Sequence, residues 1–274
     1  MPGARRRALG TPALSGGLAL GYLSLIVLIP LAAVVAKAAD GGWHHFWQVA
    51  WNREARAALE LTFELAGGVV AVNAVTGTAL AWTLVRDDFP GKSIVNAIVD
   101  LPFALPTAVA GVALTAIYAP NGLIGGLLAP LGIRIAYTPF GIFIALVFVG
   151  LPFMVRTVQP VLDDLDPEIE EAAQTLGAGS WQRWFQVILP SLLPALLTGF
   201  ALALARAVGE YGSVIFIAGN QPYRSEIAPL LIIIKLEQYD YAGAATVGLA
   251  MLAVSFVALL AINLIQIFWA RRGA

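Results

Sequence analysis

Six long stretches without a charged residue most constrain what this chain can fold into. Each contains at least 21 residues. Helices of roughly 20 residues cross the core of a bilayer. Hydrophobic residues make up 59% of the chain and charged residues 12%, which excludes a water-soluble globule of this size. We therefore predict an all-α polytopic membrane protein with about six transmembrane helices, at residues 8–36, 65–85, 101–133, 135–155, 184–205 and 241–270.

The third stretch is too long for a single span. Its Pro-Asn-Gly sequence at 120–122 is a turn signal and predicts that the helix ends near Tyr118. Upstream, Pro102 and Pro106 free backbone groups, a break that a membrane tolerates where protein or a watery cavity satisfies the backbone. Two interpretations stay open. The kink lines a pore, or it only packs and leaves Asp100 near the cytoplasmic interface.

Several classes of function find no support in the sequence. A net charge of −1 provides no basic surface for nucleic acid, and the chain has no cysteine for thiol catalysis, disulfides or metal binding. Residues 91–93 (Gly-Lys-Ser) resemble the end of a phosphate-binding loop, but Arg86 stands where that loop needs its first glycine. His44 and His45 lie among tryptophans typical of an interfacial aromatic belt, not of a metal site. We expect a protein that is not an enzyme and holds no cofactor or metal.

The basic residues predict which ends of the chain face the cytoplasm. The apolar stretch after Arg5, Arg6 and Arg7 is far longer than the roughly 7–15 residues of a secretory signal, so we expect a retained first helix. With six spans both termini share a side, and cytoplasmic termini place nine basic residues inside and six outside. We predict a cytoplasmic tail at 1–13, a transmembrane domain at 14–270 and a second cytoplasmic tail at 271–274.

Residues 166–190, which we name the elbow, form a polar segment in this apolar chain. Asp166 can cap a helix that begins with Pro167 at its first position. Gly177 can take the left-handed conformation that ends this helix, and Ser180 can cap a second one. The elbow and the residues before it, a loop spanning 160–190, are therefore predicted to dock a soluble partner. Acidic residues crowd the start of the elbow, at Asp163, Asp164, Asp166, Glu168, Glu170 and Glu171.

Arg206 and Glu210 are charged residues at the end of the fifth apolar stretch. Because they are four residues apart, we expect them to share one helix face and to pair. If the helix begins near Ser191, Arg206 lies about 20 Å along it, which is deep for a charge in a membrane. The pair is either a structural ion pair or part of an anion pathway or gate, for which the guanidinium fork is suited.

The elbow also contains a signature of a known family. Its residues Glu-Ala-Ala at 171–173, Gly177 and Val-Ile-Leu-Pro at 187–190 resemble the cytoplasmic signature of the permease subunits of ATP-binding-cassette (ABC) importers. Val187 stands where isoleucine is commoner in that family. The resemblance implies that the elbow is a coupling helix that fits a groove of the ATPase subunit. The residues it implies for this contact are Glu170, Glu171, Ala172, Ala173, Leu176, Gly177 and Ala178.

Four further stretches, at 137–139, 148–166, 205–220 and 235–244, are similar to the sulfate/thiosulfate permeases of that family. They imply a type I importer permease fold in a bacterial inner membrane, forming half of a translocation pathway. The implied partners are a second homologous permease subunit, a pair of ATPase subunits, a periplasmic sulfate/thiosulfate-binding protein and membrane lipid. A molybdate or tungstate permease is one alternative. Another is a stand-alone secondary anion transporter, whose buried charges, Arg206, Glu210 and Asp100, would bind the coupling ion.

Overall fold

The computed structural model describes residues 11–270, and within them the regular structure is helical. The predicted tail at 271–274 and residues 1–10 of the other tail lie outside the described residues, and the first helix begins at Thr11. The α-helices are α1 (Thr11–Leu23), α2 (Ile29–Ala39), α3 (Gly42–Ala50), α4 (Arg53–Arg86), α5 (Lys92–Ala104), α6 (Thr107–Tyr118), α7 (Gly125–Leu128), α8 (Pro139–Asp163), α9 (Pro167–Thr175), α10 (Ser180–Arg183), α11 (Leu189–Val208), α12 (Val214–Ile217), α13 (Ala228–Glu237) and α14 (Tyr241–Ala270).

Five helices in the described part of the chain are long and apolar enough to cross a membrane. They are Gly16–Ala39, Arg53–Arg86, Pro139–Asp163, Ser180–Val208 and Tyr241–Trp269. The first and fourth contain π-helical turns, at Ser24–Leu28 and Trp184–Ile188, which continue α1 into α2 and α10 into α11. These five helices, together with the broken pair α5 and α6, match the prediction of an all-α polytopic protein with about six spans.

The sixth span is broken rather than straight. α5 and α6 meet at an angle of 115°. Pro106 is the residue before α6, and Leu105 is extended, as expected for a residue that precedes proline. The predicted break at the prolines is therefore present, and α6 ends at Tyr118 as the turn signal predicted.

The centre of the bundle is formed by α4, α8 and α11. Glycines allow these helices to approach closely, as is common between helices in membranes. A Cβ atom on Gly77 of α4 would lie 2.8 Å from the side chain of Met154 on α8, and one on Gly199 of α11 would overlap Thr157. Larger apolar side chains fill the space around these contacts, among them Val69, Val70, Ile142 and Leu146.

The N-terminal helices lie at the edge of the bundle. α2 and α3 pack against α14, while the first spanning helix is otherwise exposed. α3 is short and presents Trp43, Trp47 and Trp51 outward, with successive indole rings 5.3 Å and 6.0 Å apart. These exposed rings fit the interfacial aromatic belt expected from the sequence.

Candidate functional site

The first helix of the elbow, α9, is built as its sequence predicts. Oδ1 of Asp166 accepts a hydrogen bond of 2.9 Å from the backbone N–H of Glu168, which caps the helix. Pro167 occupies the first helical position, where its missing N–H removes no helical bond. Acidic side chains in the first turn, Glu168 and Glu170, complement the positive end of the helix dipole.

Gly177 makes the turn of the elbow. Its φ of 86° is left-handed, and a Cβ atom there would meet nothing within 4 Å. Glycine is therefore required by the backbone conformation rather than by crowding. The N–H of Gly177 bonds the carbonyl of Gln174 at 2.9 Å, and the N–H of Ala178 bonds that of Ala173 at 3.0 Å. This pair of bonds is the Schellman arrangement that closes a helix C-terminus.

The second helix of the elbow starts differently from the prediction. Gly179, not Ser180, precedes the first helical residue, so the predicted Ser180 cap is wrong. Ser180 is already helical, and its hydroxyl is therefore one residue too late to act as the cap. The side chain of Gln182 instead accepts the N–H of Gly179 at 2.9 Å. The helix then runs without a gap through α10, the π-helical turn and α11.

The seven residues predicted to contact an ATPase separate into two groups. Four are exposed, and Leu176 is the most exposed of them at 88%. Three are half-buried against the rest of the chain. The exposed group is free for a partner, whereas the half-buried group faces the bundle. The exposed residues are Glu171, Ala172, Leu176 and Gly177, and the half-buried residues are Glu170, Ala173 and Ala178.

The elbow is attached to the spanning helices by one ion pair and one ring contact. Nη2 of Arg86, the last residue of α4, lies 2.6 Å from Oε1 of Glu170. Trp82, one turn earlier on α4, meets Trp184 edge to face, with ring centroids 5.1 Å apart. The sequence reasoning missed Arg86 as a site residue. A basic residue in the last turn of a helix was an available signal, but it does not identify the partner.

Asp100 is bound in a polar cluster between α5 and α8. Both of its carboxylate oxygens accept hydrogen bonds from Arg156, from Nε at 2.8 Å and from Nη2 at 2.6 Å. The same guanidinium also donates to the side chains of Asn96 and Gln159. This two-point pairing holds the broken span against α8. Asp100 makes no hydrogen bond or ion pair to Arg206 or Glu210 among residues 11–270.

Arg206 and Glu210 pair as predicted, but not on one helix face. α11 ends at Val208, and Glu210 lies in the irregular segment that follows. Nη1 of Arg206 is 2.6 Å from Oε2 of Glu210, whose side chain is 1% exposed against 32% for the arginine. Oε1 of Glu210 accepts the N–H and the hydroxyl of Ser213, each at 2.9 Å. The helix begins at Ser180 rather than near Ser191 and ends at Val208, which places Arg206 in its last turn.

The irregular segment after α11 packs against the break between α5 and α6. A Cβ atom on Gly111 of α6 would overlap the backbone of Ser213, and one on Gly212 would overlap the side chain of Thr107. Irregular backbone after α11 therefore meets the start of α6, close to the break between α5 and α6. Non-helical backbone in a membrane protein is buried in protein or lines a water-filled cavity. The Arg206–Glu210 pair stands at the edge of this junction.

A buried carboxyl group that the sequence gave no reason to single out lies between α12 and α13. Glu226 is 3% exposed, and its Oε1 has no hydrogen-bond partner in the described part of the chain. Burial raises the pKa of Glu226 above its ordinary value of 4.5. The Glu54 carboxylate raises this pKa further and the Lys235 ammonium lowers it.

We expect this carboxyl group to make stability depend on pH. The pKa of Glu226 is raised in the folded state, so the protonated carboxyl group favours folding. Its contribution to the free energy of unfolding is fully present below pH 4.5 and is lost as pH rises through the raised pKa. Glu226→Gln should flatten this part of the profile when thermal unfolding of the purified protein in detergent is followed across that range. Glu237→Gln, an exposed residue at the end of α13, is the control and should keep the wild-type profile. An unchanged slope in Glu226→Gln would contradict the expectation.

Comparison with known proteins places the chain in a family. The family described as "Binding-protein-dependent transport system inner membrane component" matches residues 73–272. This range includes the elbow, the break between α5 and α6, and the irregular segment after α11. The chain is 51% identical over 253 residues to the sulfate transport system permease protein CysT of Synechocystis, covering 92% of this chain and 88% of that protein. It is 45% identical over 267 residues to the CysT protein of Escherichia coli, covering 97% and 96%.

Solved structures with the same fold come from ABC transporters. A bacterial alginate ABC transporter, in complex with an alginate pentasaccharide-bound periplasmic protein, matches with a TM-score of 0.74 at 19% identity, covering 92% of both chains. A bacterial ABC transporter involved in import of the acidic polysaccharide alginate matches with a TM-score of 0.75 at 17% identity, covering 93% and 94%. At these identities the similarity concerns the fold alone. The chain belongs to the family of binding-protein-dependent transport system inner membrane components, the permease subunits of ABC importers, as a homologue of the sulfate permeases named CysT.

Proposed function

We propose that the protein is the transmembrane permease subunit of an ATP-driven importer of sulfate and thiosulfate. The observation that carries this proposal is the identity of 51% and 45% to two CysT sulfate permeases over nearly the whole chain. The chain forms half of the translocation pathway in a bacterial inner membrane, with both termini in the cytoplasm. A second, homologous permease subunit forms the other half.

The elbow is the surface through which energy enters this chain. The Gly-Lys-Ser sequence at 91–93 does not form a phosphate-binding loop, because Arg86 replaces the glycine that such a loop requires. ATP hydrolysis therefore belongs to a separate pair of ATPase subunits. The exposed group Glu171, Ala172, Leu176 and Gly177 supports docking of such a partner, and exposed Glu168 in the first turn of α9 adds negative charge to the contact.

The mechanism is alternating access. Closure of the ATPase pair displaces the elbow, and the spanning helices respond by opening the pathway outward. A periplasmic sulfate/thiosulfate-binding protein then delivers the anion, and hydrolysis resets the transporter. The irregular segment after α11 meets the break between α5 and α6 near Arg206 and Glu210. Polar backbone can line such a pathway there.

Each of the three candidate pathway residues is paired with another charged side chain in this structure. Arg206 is paired with Glu210, and Arg156 holds both oxygens of Asp100. An anion that binds Nη1 of Arg206 would have to compete with the Glu210 carboxylate. We therefore assign Arg206, Glu210 and Asp100 to the shape and opening of the pathway, and selectivity to the external binding protein.

Purification from membranes followed by transport assays tests the proposal. The tagged chain should co-purify with an ATPase and a second permease, and membrane vesicles should take up radiolabelled sulfate only with ATP and the binding protein. Thiosulfate should compete with the label. Competition by molybdate or tungstate but not by thiosulfate would favour the alternative permease. Uptake without any co-purifying ATPase would instead indicate a secondary anion transporter.

Charge reversal at Glu171 provides a residue-level prediction. Glu171→Lys should reduce ATP-dependent sulfate uptake by about tenfold or more while the subunit still reaches the membrane, because it reverses a charge in the docking surface. Glu237→Lys makes the same change of charge at an exposed residue at the end of α13, outside the loop 160–190, and is expected to retain most uptake. Equal uptake by the two variants would argue against the assignment of Glu171.

A further inference from the structure

The elbow is tied to a helix that lies far from it in the sequence. Arg86 and Glu170 are 84 residues apart, and their side chains are only 24% and 18% exposed. An ion pair so shielded from water is screened less than a surface pair and depends more strongly on geometry. The end of α4 and the first turn of α9 are therefore held together by a specific contact.

Arg86 also belongs to a chain of contacts that reaches the start of α11. Its guanidinium carbon lies 5.5 Å from the ring centroid of Trp82, and Trp82 packs edge to face on Trp184. Trp184 is the first residue of the π-helical turn that continues into α11. Glu170, Arg86, Trp82 and Trp184 thus connect α9, α4 and α11.

The pair has an unused hydrogen-bond donor. The Nε–H of Arg86 is buried and has no partner among residues 11–270, and the ion pair with Glu170 is made by Nη2. A guanidinium can bind both oxygens of a carboxylate through two parallel bonds. In this structure the contact with Glu170 is a single bond from Nη2, so the guanidinium fork of Arg86 is only partly used.

α4 and α11 leave an open groove between them above this contact. The groove has a volume of about 740 Å³ and is lined by Val75, Thr78, Trp82, Trp184, Leu193 and Phe200, among others. Along this face the side chains leave space between the two helices, while Trp82, Trp184 and Phe200 also pack against the core beside it. The elbow is continuous with α11 and bonded to α4, so it joins both walls of the groove.

We propose that Arg86 is the positioning residue that transmits displacement of the elbow to α4. This inference rests on the proposed function of the elbow as the coupling surface. The Arg86–Glu170 pair makes α4 follow the elbow, while the unbroken helix through residues 184–188 makes α11 follow it. The groove between the two helices then widens or narrows when the ATPase moves the elbow.

The test uses the complete transporter, with both permeases, the ATPase pair and the binding protein, in membrane vesicles. It compares Arg86→Ala, Glu170→Gln and the charge-swapped double variant Arg86→Glu/Glu170→Arg. Lys92→Ala is the control. Lys92 is the first residue of α5, and its ion-pair partner is exposed Asp88 rather than a residue of the elbow. The measured quantities are co-purifying ATPase, ATP hydrolysis and sulfate uptake per ATP hydrolysed.

We expect both single variants to keep the ATPase bound and hydrolysing while uptake per ATP falls about tenfold, within the usual range of coupling between sites. The charge swap should restore most of the uptake, which a loss of general stability would not allow. Uptake per ATP within about twofold of wild type in Arg86→Ala, below the usual range of coupling, would overturn the inference. The inference would also be overturned if the charge-swapped variant were as defective as the single variants. This outcome decides the question even if a single variant fails to assemble. If the wild-type complex itself does not couple hydrolysis to uptake, the proposed function fails instead.

Discussion

Replacing Gly177 by valine is expected to abolish ATP-dependent uptake while the subunit still reaches the membrane. The residue has a φ of 86°, and a β-branched side chain is strongly disfavoured in that region. Holding it there costs about 1–3 kcal/mol, so the turn opens and the two bonds that close α9 are lost. Glu171 and Leu176 then point in new directions. We expect uptake in vesicles to fall by about tenfold or more relative to the amount of subunit present.

The chain provides a matched control for this variant at Gly91. Its φ is 88°, it also has nothing within 4 Å of an added Cβ atom, and it precedes α5 in a loop outside the elbow. Gly91→Val therefore imposes the same backbone strain away from the coupling surface. It should lose some stability but keep most uptake. Similar loss of uptake in both variants would show that strain in any loop is sufficient, and the turn at Gly177 would have no special role.

Arg206→Ala is expected to have the largest effect on stability. Glu210 is almost completely buried, and among residues 11–270 the partner of Oε2 of its carboxylate is Arg206. Removing one partner of a fully buried pair costs about 3–5 kcal/mol, and we expect about 2 kcal/mol here because Arg206 is one-third exposed. Thermal unfolding in detergent should shift downward by roughly 5 °C.

Two companion variants separate loss of the pair from loss of a pathway residue. Arg206→Ala/Glu210→Gln removes the charge left behind and should regain most of the lost stability. Arg206→Lys keeps the charge without the guanidinium fork, and we expect it to retain uptake because Arg206 serves Glu210 rather than the anion. Normal stability with lost uptake in Arg206→Lys would instead indicate direct contact with the oxyanion.

Hydropathy predicted the spans well because every backbone group inside a bilayer must find a partner within the segment itself. Where irregular backbone interrupts or follows a helix, the predictions were less accurate. The break at the prolines and the end of α6 at Tyr118 were predicted, but the angle of 115° between α5 and α6 was not. Arg206 and Glu210 were expected on one helix face, whereas α11 ends at Val208. Both departures occur where the irregular segment after α11 packs against the start of α6, at Gly111 with Ser213 and at Gly212 with Thr107.

In the elbow, features that depend on local hydrogen bonds were predicted, whereas a feature that depends on tertiary packing was not. The cap at Asp166 and the turn at Gly177 were predicted, because each depends on bonds to residues at most five positions away. The start of the second helix was displaced by one residue, from Ser180 to Gly179, because several residues there can begin a helix. The distinction between exposed Glu171 and half-buried Glu170 did not follow from the sequence, because it depends on how α9 lies against α4.

The sequence by itself determined the number of spans, the polar elbow and the signature within it, because hydropathy and helix capping act over a few neighbouring residues. Only the tertiary structure decided the partners of the charged side chains. Arg86 meets Glu170 across 84 residues, and Arg156 meets Asp100 across 56. A charge in an apolar helix must find a partner because burying it alone is costly, but several acids could satisfy that need. The packing of α4, α5, α8 and α9 selects among them, since it alone sets the distances.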